Sequence, residues 1–397
     1  FTDLLDYLSE QGYIRFETYF VDGTKLEADA NKYSYVWKKN TIRYKSNLKA
    51  KVQELLREIH ELNADEDIKY ENQSLEELGD NTDIDSEELK LIVSELNSKL
   101  EQQAPAKTQR STKSRVKKLS KAAKKLEKYE KQENILGKRN SYSKTDTDAT
   151  FMRMKDDELR AGYNPQVSSE NQFVVNYTVS QNAADTAAFP EHLTKIRERG
   201  EKYIPGNYVG DAGYGSEENY ENLERDRITN YLKYNSFYIE NKQKQKNPFH
   251  KDNMLYDTEG DFFVCPAGKK ILYRHDDETT TDNGYTSQVR VYECASCEGC
   301  SLKEKCTKAK GNRRILVRTK LETYRGQARD NLRSEKGIEF RKKRGPEIET
   351  FFGDLKMNQG YKRFRLRGKN KVNTELGWLC ITYNLRKLHL KINKMEN

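Results

Sequence analysis

Residues 208–216, Tyr-Val-Gly-Asp-Ala-Gly-Tyr-Gly-Ser, decide how this chain is read. A short apolar strand delivers one acid, Asp211, to its C-terminal tip. Two glycines and a serine then turn the backbone into a charged helical segment from Glu217 to Asp226. A carboxylate at the open end of a strand, beside glycines that let another backbone approach, suits a hard metal ion next to a phosphate. A turn aspartate capping the following helix has the same local signature.

Two further acids share this setting. Residues 16–22, Phe-Glu-Thr-Tyr-Phe-Val-Asp, alternate as a strand that stops at Asp22, and Gly23 follows. A hairpin Asp-Gly turn is the plain alternative. Residues 24–33 are polar and read as a second strand or a loop. The third acid is helical: Ile348, Phe351, Phe352 and Leu355 fall at i, i+3, i+4 and i+7, a stripe that must face the core. Glu347 and Glu349 flank it. At 100° per residue, Glu349 shares its side with Lys342 and Lys356, whereas Glu347 shares its side with Lys343 and Asp354. An acid that holds metal against a polyanion should have cations as neighbours, which favours Glu349. A solvated face with ordinary ion pairs is the alternative.

Several motifs then occur in order: 21–33 (Val-Asp-Gly-Thr-Lys-Leu-Glu-Ala-Asp-Ala-Asn-Lys-Tyr), 145–155 (Thr-Asp-Thr-Asp-Ala-Thr-Phe-Met-Arg-Met-Lys), 162–166 (Gly-Tyr-Asn-Pro-Gln), 210–216 and 348–356 (Ile-Glu-Thr-Phe-Phe-Gly-Asp-Leu-Lys). Together they resemble the DDE transposases of bacterial insertion sequences, in the branch with a long helical insertion after the first Asp and a Cys-rich insertion before the Glu. The resemblance implies an α/β fold with a ribonuclease-H-like mixed sheet. It implies Asp22, Asp211 and Glu349 as a triad holding two Mg²⁺ or Mn²⁺ ions, with Asp211 bridging the pair. Six residues separate Glu349 from Lys356, as in related transposases. Arg344 lies one residue further from Glu349 than the usual Arg, and the preceding Tyr of that pattern is absent. The implied function is two-metal DNA strand cleavage followed by strand transfer during transposition. A nuclease of the same fold that does not join, or an inactive DNA-binding remnant, is the alternative. The implied partners are double-stranded DNA, at element ends and target, and further copies of the chain in a synaptic complex on the nucleoid. Lys342, Arg344, Lys356, Arg363, Arg365 and Arg367 would hold the DNA backbone.

Composition fits such a partner. The 397 residues carry 72 Lys and Arg against 63 Asp and Glu, a net charge of +9. The excess is clustered: residues 107–131 hold 11 basic residues and two Glu, and residues 361–372 hold six and no acid. Such blocks suit phosphate backbones, with solvated basic segments as the alternative. No apolar run reaches 18 residues, so no membrane span is expected, and no signal peptide is visible. The chain opens on Phe1 inside a helical pattern. The resemblance implies a helical DNA-binding region ahead of it.

Five segments follow: 1–40 as the first part of the catalytic core, 41–140 as a helical hairpin or coiled-coil arm, 141–244 as the core continued, 245–320 as a Cys-rich insertion, and 321–397 as the region of the catalytic helix. In the arm, helical spacing appears over 41–62, 84–101 and 113–135, with an acidic loop at 63–83 and a linker at 104–106. Strands are expected at 151–154, 172–179 and 228–239, and a crossover helix at 191–199. Asp146, Asp148 and Asp185 are spare acids near the sheet; turn or surface positions are the plain reading, with a place near the metals as the alternative for Asp148 or Asp185. Trp378, Leu379, Ile381, Leu385 and Leu388 are expected to face the core from a terminal helix.

Cys294, Cys297, Cys300 and Cys306 form C-x2-C-x2-C-x5-C, with Cys265 in a Cys-Pro-Ala-Gly turn about thirty residues earlier. Thiolates three residues apart in a tight turn can share one soft ion. A structural Zn²⁺ site from four of the five is expected, with Cys265 against Cys294 undecided. An iron–sulfur cluster is the alternative. Cys380 stands alone and reads as core. None of the five His pairs in sequence with a nucleophile, so a triad hydrolase is disfavoured.

Overall fold

The computed structural model describes residues 1–67, 84–102, 107–238, 240, 247–281 and 283–396. Its first elements are α1 (Thr2–Glu10), β1 (Thr18–Gly23), β2 (Leu26–Glu27), β3 (Tyr35–Trp37), α2 (Lys38–Asp67), α3 (Ser86–Gln102), α4 (Lys107–Leu136), β4 (Ser141–Ser143) and β5 (Thr150–Arg153). Next come β6 (Leu159–Glu170), β7 (Phe173–Ser180), α5 (Asp185–Arg199), β8 (Asn207–Gly210), α6 (Glu217–Arg225) and β9 (Thr229–Leu232). Then β10 (Leu255–Asp257), β11 (Phe262–Val264), β12 (Lys270–Thr280), β13 (Thr286–Cys294), α7 (Lys303–Cys306) and β14 (Arg314–Val317). The chain ends with α8 (Thr319–Arg333), α9 (Glu335–Arg344), α10 (Thr350–Gly353) and α11 (Lys369–Glu396). Two compact units result, one of residues 1–27 with 162–397 and one of residues 28–161.

The first unit is built on a mixed sheet of order β2-β6-β1-β8-β9, with β7 also paired to β6. β6 runs antiparallel to β1 and β7, whereas β8 and β9 run parallel to β1 and to each other. Period-two alternation sorts β1 onto two faces. Tyr19 and Val21 enter a core with Phe173, Phe189, Leu193 and Leu223. Phe20 points the other way, with its ring 5.9 Å from Phe340 of α9. Entry into β1 is tied down by Glu170 at the end of β6. Its carboxylate accepts N–H bonds from Arg15, Phe16, Glu17 and Thr18 at 2.7–3.2 Å, and Phe16 has a φ of 58°. Hydrogen bonds to a charged acceptor are worth about 1.5–3 kcal/mol each, so this clamp offsets the cost of a left-handed non-glycine residue.

Two elements differ from the sequence expectation, and a third, β6, was not anticipated there. β6 is a long strand through Pro165, a residue that argues against an interior strand because it cannot donate to the ladder. Here the Pro165 carbonyl still accepts from Thr24 N at 3.0 Å. α5 begins at Asp185, not after Pro190. Proline cannot bond the carbonyl four residues back, and that carbonyl, of Thr186, accepts instead from Asn219 Nδ2 at 3.1 Å. The strand expected over 228–239 stops at Leu232 and gives way to turns; Ile239 lies outside the described residues.

The Cys-rich segment folds as an antiparallel sheet, β10-β11-β12-β13-β14, and packs Met254, Ile271, Tyr292 and Ile315 into a core of its own. α11 buries Val372, Leu376, Cys380 and Tyr383, as expected for Cys380. Trp378 and Leu385 do not reach the core: they are 65% and 50% exposed. The helix has one buried stripe, and these two residues lie off it.

In the second unit α2, α3 and α4 pack around Val52, Ile59, Leu89, Ile92, Leu96, Val116, Leu119 and Leu126. α2 runs on to Asp67, further than the periodicity over 41–62 indicated. The linker at 104–106 and residues 68–83 of the expected acidic loop lie outside the described residues. A short ribbon joins β3 to β4, and Tyr35 and Trp37 pack on Phe151. Asp146 and Asp148 belong to this unit.

Candidate active site

The parallel pairing of β1 and β8 places two of the three acids side by side. Thr18 is level with Asn207 and Phe20 with Val209, so the next residues on that face are Asp22 and Asp211. Both therefore share the face that Phe20 presents to Phe340. Arg344 lies one helical turn beyond Phe340, and its guanidinium enters between the two acids. Nη2 is 3.1 Å from Asp22 Oδ1 and 3.5 Å from Asp211 Oδ2. The arginine side chain is only 12% exposed. Neither Nε nor Nη2 makes a hydrogen bond of good geometry, so charge rather than a directed bond holds it there.

Asp22 is pushed up to about 6. Burial is the largest cause, the neighbouring Asp211 and Asp185 add to it, and Arg344 opposes it. Asp211 uses its two oxygens differently. Oδ1 accepts from Gly213 N at 2.8 Å, capping a single helical turn over Ala212–Tyr214, and Oδ2 faces Arg344. The capping alternative weighed from sequence does not hold for α6, whose N-cap is Ser216, with its Oγ accepting from Asn219 N at 3.2 Å; Asp211 caps only the short turn before it. Gly215 is needed at its position: a Cβ there would lie 3.1 Å from Tyr234 Cα and collide with the Lys233 carbonyl.

A fourth acid, Asp185, stands at the same place. Its Oδ1 accepts from Asn164 Nδ2 and Gln166 Nε2, both at 2.9 Å. Gln166 Oε1 in turn accepts from the buried Tyr214 hydroxyl at 2.5 Å. A Cβ on Gly213 would meet Asp211 Oδ1 at 3.0 Å and Asp185 Oδ2 at 3.3 Å, so both carboxylates face the same small volume. A Cβ on Gly23 would meet Asp185 Oδ1 at 2.6 Å. Sequence reading left Asp185 as a turn or surface acid, with a place near the metals as the alternative. The signal for it was the motif at 162–166, where Asn164 and Gln166 lie two apart on one strand and so share a face.

Glu349 sits on the helical ribbon that continues from α9. Residues Gly345–Glu349 form a wide π-helical turn, α10 follows, and Asp354–Asn358 form a second π turn. Pro346 offers no N–H and crowds the carbonyl four residues back, and the wider turn takes this up. Such turns advance by less than 100° per residue, so the side-by-side reading of Lys342, Glu349 and Lys356 does not carry through them. The apolar stripe does persist: Ile348, Phe351, Phe352 and Leu355 are all buried. Glu347 accepts from Gln172 N at 2.7 Å, and burial pushes its carboxyl up. Glu349 is exposed and makes no hydrogen bond or ion pair among the described residues. The ribbon that carries it meets the Asp22 strand on both sides of it, through Arg344 and through Lys356, whose Nζ donates to Thr24 Oγ1 at 2.5 Å and to Lys25 O at 3.2 Å.

Of the cations expected to hold DNA, Lys342, Arg363, Arg365 and Arg367 are exposed. Arg344 and Lys356 are turned inward instead, for the reasons just given. Among the described residues no group of three or more His, Cys, Asp and Glu has the arrangement of a metal site.

Cys265, Cys294, Cys297, Cys300 and Cys306 nevertheless line one cavity of about 20 Å³. Gly268 and Gly299, at φ of 74° and 66°, make the tight turns around it. Two sulfurs accept backbone N–H bonds at 3.3 Å: Cys265 from Lys269 and Cys297 from Arg313. Cys294 is different; its thiol donates to Ser296 O at 3.6 Å.

Ser168 Oγ lies 2.7 Å from His192 Nε2, a pairing that sequence could not show. Both residues are fully buried, with Thr178 Oγ1 at 2.8 Å on Nδ1 in place of an acid. This is a buried polar network, not a nucleophile and base. Burial pushes His192 down to about 3. The unfolded chain, with an ordinary histidine near 6.5, therefore binds one more proton below that pH. Stability from this group is full above about pH 6.5 and is lost as pH falls toward 3, by up to roughly 4 kcal/mol. Urea unfolding of His192→Gln should show a flatter decline over that window than the parent chain. Parallel declines would mean that His192 is not the group titrating.

The match to known proteins falls at the C-terminal side. Residues 264–389, about a third of the chain, match the family model described as Transposase DDE domain. The matched segment contains Glu349, Arg344, Lys356 and the five clustered cysteines, and lies after Asp22 and Asp211. No curated protein and no solved structure matches the chain. Among the described residues no helix is long and apolar enough to cross a membrane. The family match supports a transposase that acts on DNA.

Proposed function

We propose that the chain is a DDE transposase of the insertion-sequence type, with Asp22, Asp211 and Glu349 as its metal-holding acids on a ribonuclease-H-like core. The observation that carries this reading is the convergence of Asp22 and Asp211, at the C-terminal ends of adjacent parallel strands, on a largely buried arginine, with Asp185 at the start of α5 facing the same small volume as Asp211. Burying several carboxylates together is costly unless a cation compensates them. Arg344 supplies that charge here, and the all-oxygen donor set suits a hard divalent ion equally well. Strand order and direction also agree with the proposed core: an antiparallel hairpin pair on one side of β1 and two parallel strands on the other.

Two Mg²⁺ held by these acids would supply an activated oxygen nucleophile and a stabilised leaving oxygen for in-line phosphodiester displacement. The protein's own share is positional. The β1–β8 register fixes Asp22 beside Asp211, and the Gly213 N–H orients the Asp211 carboxylate. Asn164 and Gln166 hold Asp185, and Glu347 is committed to the β6–β7 turn, which leaves Glu349 as the available acid of the ribbon. Exposed Lys342, Arg363, Arg365 and Arg367 would hold phosphates of the duplex. The same site would serve cleavage at an element end and attack of the freed 3′-hydroxyl on target DNA, without a covalent protein intermediate.

Joining separates this reading from a nuclease. With Mg²⁺, an oligonucleotide duplex bearing the element end and a target plasmid, joined product is expected. Cleavage with no joined product would leave only the nuclease.

For the sulfur cluster we propose structural Zn²⁺ held by Cys265, Cys297, Cys300 and Cys306. Backbone N–H groups aimed at Cys265 and Cys297 suit thiolates, whereas Cys294 keeps its proton on Ser296 O. Its role would be to hold together a sheet with a small core. About one zinc per chain, unchanged by Cys294→Ser and lost in Cys297→Ser, is the expected elemental analysis; iron in its place would favour the cluster alternative.

A further inference from the structure

α4 carries a charge pattern that the catalytic reading does not use. Its buried stripe is Val116, Leu119, Ala122, Ala123 and Leu126, which packs on α2 and α3. Arg110, Lys113, Lys117, Lys121, Lys124 and Lys128 recur at spacings of three and four on the opposite side, and all are exposed. At 100° per residue these six lie within about 80° of one another, so they form one straight row. From Arg110 to Lys128 the row is about 27 Å long at 1.5 Å per residue. None of the six is paired with an acid among the described residues.

The three acids of α4 are placed elsewhere. Glu127 pairs with Lys90 of α3 at 2.8 Å, Glu130 accepts from Ser86 N at 3.0 Å, and Glu133 pairs with Lys45 of α2 at 2.6 Å. Arg115, which lies off the row, pairs with Glu58 of α2. Charge on α4 is thus sorted: its three acids reach across to α2 and α3, and an acid-free row of cations points to solvent.

We propose that this face of α4 is a second DNA-binding surface, which grips the phosphate backbone of a duplex without reading its sequence. That the polyanion is DNA rests on the transposase reading; the surface itself does not depend on the metal site. A row about 27 Å long spans most of one 34 Å turn of duplex. Docking of this face on the same face of a second copy is opposed, because like charges would meet without an acid between them.

The test is duplex binding by the whole chain in EDTA, followed by fluorescence anisotropy between 50 and 200 mM salt. Each phosphate contact contributes about 0.9 to the slope of log affinity against log salt. Lys113→Gln, Lys117→Gln, Lys121→Gln and Lys124→Gln together should lower that slope by roughly 3 and weaken binding at least about tenfold. The four Lys→Arg changes should leave both as they are. Should the fourfold Gln variant melt early, the pairs Lys113/Lys117 and Lys121/Lys124 are tested separately, each expected to lower the slope by about half as much. An unchanged slope in folded Gln variants overturns the proposal, and so does loss of a dimer in sedimentation with the slope intact. Binding without metal is read apart from chemistry, so an inactive wild type with a normal slope would count against the catalytic reading alone.

Discussion

Asp211→Asn is expected to abolish Mg²⁺-dependent cleavage of end-bearing duplex, by at least about 10³-fold, while DNA binding persists. A factor of 10³ corresponds to about 4 kcal/mol of transition-state stabilisation, a reasonable loss for a carboxylate that helps to hold a catalytic metal pair. The amide keeps size and still accepts from Gly213 N, so the turn over Ala212–Tyr214 should survive. It withdraws only the negative charge that faces Arg344 and would face the metal. Cleavage and anisotropy on the same preparation separate the two effects. Equal cleavage by variant and wild type would end the assignment of Asp211.

The second large effect is a contrast within one helical turn. Glu349→Gln should lose cleavage to a similar extent, about 10³-fold, with its thermal melt unchanged, because its side chain is exposed and makes no hydrogen bond or ion pair among the described residues. Glu347→Ala should behave in the opposite way. Its carboxylate accepts from Gln172 N, and leaving that donor unmet costs about 1–3 kcal/mol. Cleavage per folded molecule should remain. Reversal of the two phenotypes would move the third acid to Glu347 and with it the path of the ribbon toward Asp22.

Much of this contrast was legible from residue order alone. The stripe Ile348, Phe351, Phe352, Leu355 is buried as helical spacing requires, and Asp22 and Asp211 lie at strand ends as alternation and glycine placement indicate. Cys380 is core, and the three helices of the second unit follow their apolar periodicity. These are local patterns, set by the 3.6-residue and 2-residue repeats of helix and strand.

What residue order could not reach is what depends on distance along the chain. Pro165 and Pro190 disguised a strand and a helix. At the first, the carbonyl bonds the remote Thr24 N; at the second, the carbonyl freed by the proline accepts from the remote Asn219. Asp185 looked like a surface acid until Asn164 and Gln166, about twenty residues away, were seen to hold it. Arg344 reads as a DNA contact by spacing, yet it lies between Asp22 and Asp211. That arrangement follows from Phe340 packing on Phe20 one helical turn before it.

The sequence by itself thus determined which residues could form elements, which acids end strands, and which stretches carry clustered cations or cysteines. Tertiary structure alone decided which acids meet and which cation stands among them, because strand register and helix packing set distances between residues as far apart in sequence as Asp22 and Arg344.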